Sequence, residues 1–379
     1  MKYIPFFLLF FMVTACVKTH QIEFEGKVSG VKDGVFIIKT TGDSTVYGEN
    51  IKDGKFIIAE RQLKYPDYYS MSIIDNDNKS NQPPFEIYLE DGKYSIETEK
   101  GKLSQYPKII SSSKLQQELS AYYVLYERLI DEFISESKKQ KQDVISEGSN
   151  LSKDAYLTLL SNIGTTAGKL KDIGFLALGQ YAKAYPQSVI GPHIMAKLDY
   201  ETDPIAYNNL YNTFSTAAKN TDEGKELGVK LSHLVKLVEG AKAPVIYGKT
   251  LDGKPFDQGK INNKVILVDF WRADNEISRR NHQIMIDFLK TFKNPEKFGI
   301  VSVSIDSKLD WWITAVNEDH ITWTQVSDLK GDDTPNAVNW SIAKIPTYFL
   351  VNSNWEIINK DLSITRLDFE VNDYLNHHK

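Results

Sequence analysis

The sequence of 379 residues contains a single cysteine, Cys16. With one thiol, no disulfide can form within the chain, and sites that need paired cysteines, such as zinc sites of the CxxC type, are excluded. Long apolar runs are also missing: after residue 15, no stretch approaches the roughly 20 apolar residues of a membrane-spanning helix. The sequence therefore excludes internal disulfides and paired-thiolate metal sites, and it predicts no spanning helix beyond the N-terminus.

A strong charge of one sign is absent too. The 45 Lys and Arg residues are balanced by 50 Asp and Glu residues, the net charge is −5, and no run rich in Lys or Arg stands out. Proteins that bind nucleic acid usually carry a basic patch, so nucleic acid is not an expected partner. Hydrophobic residues make up 41% of the chain and charged residues 25%, which is typical of globular proteins. The length suggests two or three domains.

The first sixteen residues, MKYIPFFLLFFMVTAC, have the order of a secretory signal: a lysine, a short apolar region and two small residues before Cys16. The run VTAC at 13–16 resembles a bacterial lipobox, in which cleavage precedes the cysteine and that cysteine is lipidated. We therefore predict a signal peptide at 1–15 and a membrane anchor at Cys16, which attached acyl chains would make stable. Val17 favours the outer membrane under the enterobacterial sorting rule, with the soluble domains in the periplasm or at the cell surface. The alternative is a chance cysteine at the end of an ordinary signal peptide.

Residues 16–110 are predicted to form a small antiparallel β domain, as a sandwich or barrel. Apolar residues alternate with polar ones in the stretch QIEFEGKVSG at 21–30, which is typical of a half-buried strand. Three Asp-Gly pairs, each followed by a strand-like run, are hairpin signals; they are Asp33-Gly34, Asp53-Gly54 and Asp91-Gly92. No catalytic constellation is evident in this region.

Residues 111–240 are predicted to be helical. One apolar stripe with helical spacing consists of Leu115, Leu119, Tyr122, Tyr126, Leu129 and Phe133. Ser113 and Gln116 fit a capping box at its start, and the polar stretch at 137–150 predicts a break. A second stripe consists of Tyr156, Leu160, Ile163, Ala167 and Leu170. Further helices are expected downstream, one of them with Pro204 at its first position.

Residues 241–379 alternate between strand and helix patterns. The stretch KVILVDFW at 264–271 is a nearly continuous apolar run, as expected of a buried parallel strand. A helix is predicted from about residue 275, followed by further strands in the stretches FGIVSVSID and PTYFLVN. This pattern predicts a central sheet covered by helices.

These residues resemble the TlpA/ResA-like branch of thioredoxin-fold proteins, close to the alkyl hydroperoxide reductase and thiol-specific antioxidant group. The matching stretches occur in the family's order at 241–256, 264–281, 299–316, 321–331 and 345–358. The resemblance implies an α/β thioredoxin-like domain with a central mixed sheet and flanking helices. The layout of lipobox, β domain, helical segment and thioredoxin-like domain is similar to that of lipoproteins from Bacteroidetes-type bacteria.

The family's active site is a Trp-Cys-x-x-Cys turn that opens a helix, whose N-terminus stabilises the attacking thiolate. A second thiol three residues later resolves the mixed disulfide. Carried over to this sequence, the two thiol positions are Asn275 and Ser278, and the position of the tryptophan is Asp274. An amide nitrogen is not basic, and no base that could activate Ser278 is evident nearby in sequence. We therefore predict that the site holds no catalytic residue and that Asn275 or Asp274 caps the helix.

Other positions follow from the same resemblance. Asp269 matches the family's buried acid, which assists proton transfer to the resolving thiol; without that thiol we interpret it as a relic, whose pKa burial would raise if the carboxylate were unpaired. In the family, the proline corresponding to Pro346 is cis, and the residue before it, Ile345 here, pairs with a bound peptide through its backbone. We therefore predict a peptide groove formed by Trp271, Asp274, Ile345 and Pro346. No metal site and no cofactor are expected.

The expected function is that of an envelope lipoprotein with a redox-inactive thioredoxin-like domain that binds or scaffolds a protein or peptide partner. One alternative is a thiol-disulfide oxidoreductase or a peroxiredoxin-like antioxidant enzyme, by analogy with the fold. Another is a purely structural envelope protein. Since a fold does not carry a function without its site, the missing thiols favour a protein that is not an enzyme.

Overall fold

The computed structural model describes residues 20–77 and 83–378. The contacts within the chain form two compact units, divided between Gly191 and Pro192. Cys16 and the predicted signal peptide lie outside the described residues. Within the two described ranges, no helix has the length and apolar character needed to cross a bilayer.

The first unit contains an eight-stranded sheet. Its strands are β1 (His20–Ser29), β2 (Asp33–Lys39), β3 (Thr45–Lys52), β4 (Lys55–Leu63), β5 (Asp67–Asp75), β6 (Phe85–Leu89), β7 (Gly92–Glu99) and β8 (Lys108–Ser111). They lie in the order β6-β5-β2-β3-β4-β1-β7-β8. Neighbouring strands pair antiparallel, apart from β1 and β7, which are parallel. The predicted antiparallel β domain is confirmed, with this one parallel pair as a difference.

One of the three Asp-Gly hairpin predictions is right. Asp53 and Gly54, with φ angles of 47° and 72°, join the paired strands β3 and β4. The other two hairpin predictions are wrong, because Gly34 lies within β2 and Gly92 begins β7, and neither strand pairs with the strand before it. A turn signal is local, whereas the order of the strands depends on how their inward faces pack together. One such contact is the stacking of Phe36 on Phe56, whose ring centres lie 4.2 Å apart.

Most of the remaining residues of the first unit form three helices: α1 (Lys114–Glu147), α2 (Lys153–Lys171) and α3 (Ile173–Ala184). The predicted polar break at 137–150 is wrong over most of its length, since α1 continues through it to Glu147. Lys, Gln and Glu are good helix formers, and no glycine or proline interrupts the stretch before Gly148. Polarity alone therefore does not end a helix.

The predicted capping box at the start of α1 is half formed. The Ser113 hydroxyl accepts a hydrogen bond from the backbone N–H of Gln116 at 3.3 Å. The Gln116 side chain accepts from the Tyr88 N–H at 2.8 Å and donates to the Tyr106 hydroxyl at 3.0 Å, instead of reaching back to the Ser113 N–H. The glutamine thereby ties α1 to the neighbouring β structure.

The helices around and after the division between the units are short. They are α4 (Gly191–Met195), α5 (Pro204–Asn212), α6 (Thr216–Lys219) and α7 (Asp222–Leu234). Pro204 occupies the first turn of α5, as predicted, and Asp203 caps that helix. The predicted helical segment 111–240 is shared between the two compact units, and the domain limits of 16–110, 111–240 and 241–379 remain a prediction.

The second unit contains a six-stranded mixed sheet. Its strands are β9 (Lys249–Thr250), β10 (Val265–Trp271), β11 (Phe298–Ser304), β12 (Thr324–Ser327), β13 (Thr347–Asn352) and β14 (Ile357–Lys360). They lie in the order β14-β13-β10-β11-β12-β9. Strands β10, β11 and β12 are parallel, and the other three pair antiparallel with their neighbours. The accompanying helices are α8 (Glu276–Thr291), α9 (Leu309–Glu318), α10 (Pro335–Asn339) and α11 (Leu367–His377).

Strand β10 lies in the middle of this sheet and is buried along its whole length. Its alternate side chains enter two different apolar clusters: Ile266 and Val268 pack in one, and Val265 and Leu267 in the other. A strand covered on both faces is expected to be continuously apolar, which explains the pattern in the sequence. The predicted central mixed sheet with flanking helices is confirmed.

Candidate functional site

The candidate site lies where β10 ends and α8 begins. Asn275 is the N-cap of α8, and its side-chain oxygen accepts a hydrogen bond from the backbone N–H of Ser278 at 2.8 Å. The first N–H groups of a helix lack partners within the helix, and a capping side chain of this kind contributes about 0.5–2 kcal/mol. The predicted helix start near residue 275 and the capping role of Asn275 are confirmed.

Asn275 also bonds across to a second loop. Its side-chain nitrogen donates to the carbonyl oxygen of Ile345 at 3.4 Å, which is a long and weak hydrogen bond. The Ile345–Pro346 peptide bond is cis, as predicted. The structure therefore brings together Asn275, Ser278 and Ile345, three of the positions selected from the sequence.

Ser278 faces inward. Its side chain is 1% exposed, and its hydroxyl has no hydrogen-bond partner among the described residues. Asn275, by contrast, is half-buried. Of the two residues that the resemblance aligns with thiols, Asn275 is therefore the more accessible one.

The predicted groove does not include Trp271. This residue is fully buried, with its ring edge-on to that of His282 at 4.6 Å, so it cannot touch a bound peptide. Its prediction as a groove residue is corrected for that reason. Asp274 is exposed and lines a shallow depression of about 410 Å³ together with Arg279 and Arg280.

Asp269 is buried but not unpaired. Its carboxylate accepts a hydrogen bond from the Ser302 hydroxyl at 2.7 Å. The Nε2 atom of His282 lies 3.5 Å from the same carboxylate, and its Nδ1 atom lies 2.8 Å from a carboxylate oxygen of Asp319. The Asp269 carboxylate is therefore not unpaired, because a serine hydroxyl and an imidazole face it; its interpretation as a relic remains a prediction.

The chain of charged groups continues from Asp319 towards the surface. Arg279 donates from Nε to Asp319 at 2.5 Å, from a terminal nitrogen to Glu318 at 2.9 Å, and to the Ala273 carbonyl at 3.2 Å. We call the four residues Asp269, His282, Asp319 and Arg279 the acid–histidine chain. It runs from a fully buried strand residue to a half-buried arginine on α8.

The acid–histidine chain shifts the protonation of its members. Burial acts to lower the pKa of His282, but the negative charges of Asp269 and Asp319 and the hydrogen bond with Asp319 outweigh it and hold that pKa above its usual value. Burial acts to raise the pKa of Asp319, but Arg279 and His282 outweigh it, so this pKa lies below its usual range. The two acids therefore stabilise the charged form of the imidazole.

A further acid fixes the loop between β10 and α8. The carboxylate of Asp306 accepts hydrogen bonds from the Ala273 N–H at 3.1 and 3.2 Å and from the Ser304 hydroxyl at 2.8 Å. Burial raises the pKa of Asp306. Arg272, which belongs to the same loop, forms an ion pair with Asp332. These contacts hold the loop before Asn275 in one shape.

Sequence reasoning did not find His282, Asp319 or Asp306. His282 is one of seven scattered histidines, and its signal was weak: it follows Ser278 by four residues and therefore shares its helix face. The acids come from other elements, and nothing in their spacing indicates that they meet this helix.

Comparison with known proteins supports the fold. The family model described as thioredoxin-like matches residues 262–357. Together with the mixed sheet and its helices, this shows that the C-terminal part of the chain is a thioredoxin-like domain, preceded by an antiparallel sheet domain and a helical segment. No curated protein matches the chain.

Several solved structures are similar to parts of the chain. The thioredoxin domain of a thiol-disulfide oxidoreductase from Bacteroides vulgatus is 30% identical, with a TM-score of 0.35, covering 37% of this chain and 99% of that one. A thiol:disulfide interchange protein from Bacteroides sp. is 30% identical, with a TM-score of 0.35, covering 38% and 94%. A thioredoxin-like protein from Bacteroides caccae is 17% identical, with a TM-score of 0.42, covering 57% and 83%.

Proposed function

We propose that this protein is an envelope lipoprotein, anchored at Cys16, whose redox-inactive thioredoxin-like domain binds an extended segment of a protein partner. The observation that carries the proposal is the pair of hydrogen bonds that the Asn275 side chain makes. This residue occupies the position of the family's attacking thiol, and it uses its oxygen to cap α8 and its nitrogen to contact the Ile345 carbonyl. The residue thus organises the site without offering a nucleophile.

Disulfide exchange requires a thiolate that attacks and a second thiol that resolves. The chain has one cysteine, at position 16, and it lies far in sequence from the candidate site. Ser278 offers a hydroxyl that is almost completely buried. These facts support a site that recognises a partner without forming a covalent bond to it.

Binding would use the backbone at Ile345. The bond from Asn275 to the Ile345 carbonyl is long, at 3.4 Å, so the N–H of an incoming peptide can compete for that oxygen. Pairing of an extended segment with an exposed backbone is a common mode of peptide recognition. Because each net hydrogen bond contributes only about 0.5–1.5 kcal/mol, we expect weak and reversible binding.

Amide resonances test this proposal. A chain that begins at residue 17 retains both compact units and can be labelled with nitrogen-15 and titrated with extended peptides from envelope proteins. We expect shifts centred on Ile345 and Thr347, and the same shifts in a control with Val124→Glu, an exposed position on α1. If no peptide moves these resonances, the binding proposal fails and a structural envelope role is favoured.

The alternative function is that of a thiol-disulfide oxidoreductase or a peroxiredoxin-like enzyme. The fold favours it, since the thioredoxin-like domain is similar to proteins named as oxidoreductases. The side chains at the site oppose it, because neither Asn275 nor Ser278 supplies a thiol. Measurement of dithiol and peroxide turnover distinguishes the two functions.

A further inference from the structure

One face of the six-stranded sheet carries buried polar side chains. Asp269 and Trp271 of β10 are both fully buried and point to the same side of the sheet, since alternate residues of a strand share a face. In the strand register, Ser302 of β11 lies beside Asp269, and Gln325 of β12 lies beside Ser302. The hydrogen bond from the Ser302 hydroxyl to Asp269 shows that these side chains meet. Three neighbouring strands therefore bring polar groups to one side of the sheet.

Helices α8 and α9 cover this side of the sheet. Ser278 and His282 lie one turn apart on the same face of α8. The His282 ring lies edge-on to the ring of Trp271 and brings its Nε2 atom to 3.5 Å from the Asp269 carboxylate. From α9, Trp312 packs in the same cluster as Trp271. The buried polar layer, as we name it, consists of Asp269, Trp271, Ser278, His282, Trp312 and Gln325.

Each residue of the buried polar layer has a polar atom that lacks a hydrogen-bond partner among the described residues. These atoms are one oxygen of Asp269, the hydroxyl of Ser278, Nε2 of His282, the indole nitrogens of Trp271 and Trp312, and both amide atoms of Gln325. They account for seven of the ten such buried atoms in the part of the chain that the structure describes. None of the six residues is more than 2% exposed, so bulk water does not supply the missing bonds.

Buried polar atoms without partners are rare in native proteins, because each one gives up its hydrogen bonds to water when the chain folds. A few scattered examples need no common cause. Seven such atoms within one layer are expected to share a cause, and the usual one is an ordered water or another small polar molecule that bonds to several of them.

The chemistry of the buried polar layer fits water better than it fits an ion. The free oxygen of Asp269 accepts hydrogen bonds, the two indole N–H groups donate them, and the Ser278 hydroxyl and the Gln325 amide do both. A water molecule also donates and accepts, so it can serve both kinds of group at once. A cation would face the indole N–H groups, an anion would face the Asp269 carboxylate, and an apolar ligand would satisfy none of these atoms.

We propose that the buried polar layer is an internal water site. Ordered water bonds there to the free oxygen of Asp269, to the Ser278 hydroxyl and to Nε2 of His282, in keeping with the roughly three hydrogen bonds that an internal water makes. On the side of β12, further water bonds to the Gln325 amide, and the indole N–H groups of the layer donate to these waters. The water beside Asp269 ties the first turn of α8 to β10. Ser278 is thereby a positioning residue, whether or not a peptide binds at the candidate site.

Transfer of magnetisation from water to the indole N–H groups tests the proposal. The chain that begins at residue 17, labelled with nitrogen-15 tryptophan, gives six indole signals, which single tryptophan-to-phenylalanine variants assign. We expect transfer with the sign of long-lived bound water at Trp271 and Trp312. The matched control is Trp340, whose indole nitrogen is also buried without a hydrogen-bond partner among the described residues. It packs against the rings of Phe270 and Phe349 in a different apolar cluster, so no transfer is expected there.

The variant Ser278→Ala distinguishes bound water from a hydroxyl that exchanges its proton with the solvent. In this variant the transfer to Trp271 should persist, because the hydroxyl is gone while the rest of the buried polar layer still holds the bound molecule. The proposal is overturned by the absence of transfer at Trp271 or Trp312, by equal transfer at Trp340, or by loss of the Trp271 signal in Ser278→Ala.

Substitution of Gln325 tests the layer by a second measurement. Methionine is close to glutamine in shape and lacks the amide, so Gln325→Met removes the hydrogen-bonding atoms and keeps the volume. If water bonds to the amide, the melting temperature should stay unchanged or fall; in a dry layer, loss of an unpaired amide would raise it. The matched control is Gln142→Met, at an exposed position on α1, where no change is expected. A melting temperature that rises in Gln325→Met and not in Gln142→Met overturns the proposal.

Discussion

Replacement of His282 is expected to destabilise the second unit in a pH-dependent way. The imidazole is 0% exposed and lies 2.8 Å from Asp319 and 3.5 Å from Asp269. With an effective dielectric constant of about 20, each charge pair at these distances is worth about 5 kcal/mol before the loss of hydration is subtracted. Removing one partner of a buried ionic group leaves the others uncompensated and typically costs about 3–5 kcal/mol. We expect a loss of that size for His282→Gln near pH 6.

The sign of the pH dependence follows from the direction of the shift. The folded pKa of His282 is raised above its unfolded value of about 6.5, so its contribution is fully present below that value and is lost as the pH rises through the folded pKa. The pKa of Asp319 is lowered, so its contribution is present above about pH 4 and is lost as the pH falls through the folded value. The destabilisation by His282→Gln should therefore shrink as the pH rises from about 6.5 through the folded pKa of His282.

Urea unfolding of the chain that begins at residue 17, followed at several pH values, measures this effect. The matched control is His377→Gln, since the side chain of His377 is 70% exposed at the end of α11. Its effect should stay within about 0.5 kcal/mol at every pH, as is usual for surface positions. A constant difference between His282→Gln and the unmodified protein across this range would refute the assignment of a charged imidazole between two acids.

Three further predictions concern the proposed function. The chain that begins at residue 17 should be inert in dithiol reduction of insulin and in peroxide turnover, since it lacks a thiol; thiol-dependent activity above a mock preparation would contradict the proposal. Cys16→Ala should move the protein from the membrane fraction to the soluble fraction or stall its processing, and normal cleavage with retained membrane binding would argue against the anchor. The double variant Asn275→Cys, Ser278→Cys should form an internal disulfide, because positions i and i+3 at a helix start lie within the Cα reach of about 4.4–6.8 Å. Two free thiols in the mass spectrum after mild oxidation would show that the loop does not have the required shape.

The parts of the fold that the sequence predicted are those with strong local signals. The continuous apolar run of β10 indicated a strand buried on both faces, and Asn275 before a helical pattern indicated a cap. The end of α1 was misplaced because a polar stretch without glycine or proline can continue a helix. The Asp-Gly pairs at 33–34 and 91–92 were misinterpreted because strand order depends on contacts between distant segments.

The candidate site, too, could be predicted only where the sequence carries a local signal. Asn275 and Ser278 could be selected because the resemblance aligns them with a motif of fixed spacing, and Ile345 because it precedes Pro346 in a second matching stretch. Trp271 belongs to the same motif region, but whether its ring points to the surface or the core depends on packing against His282. The acid–histidine chain joins residues from β10, from α8 and from the residue that follows α9, and no pattern in the sequence links them.

Because the Asn275 side chain both caps α8 and contacts Ile345, substitutions at positions 275 and 278 have unequal effects. A thiol introduced at position 275 alone removes a helix cap worth about 1 kcal/mol and the contact with Ile345. While position 278 holds a hydroxyl, a mixed disulfide formed by such a thiol cannot be resolved within the site. A thiol introduced at position 278 alone is buried and has no partner. Neither single substitution therefore creates a pair of thiols that can form an internal disulfide, and the first also lowers stability.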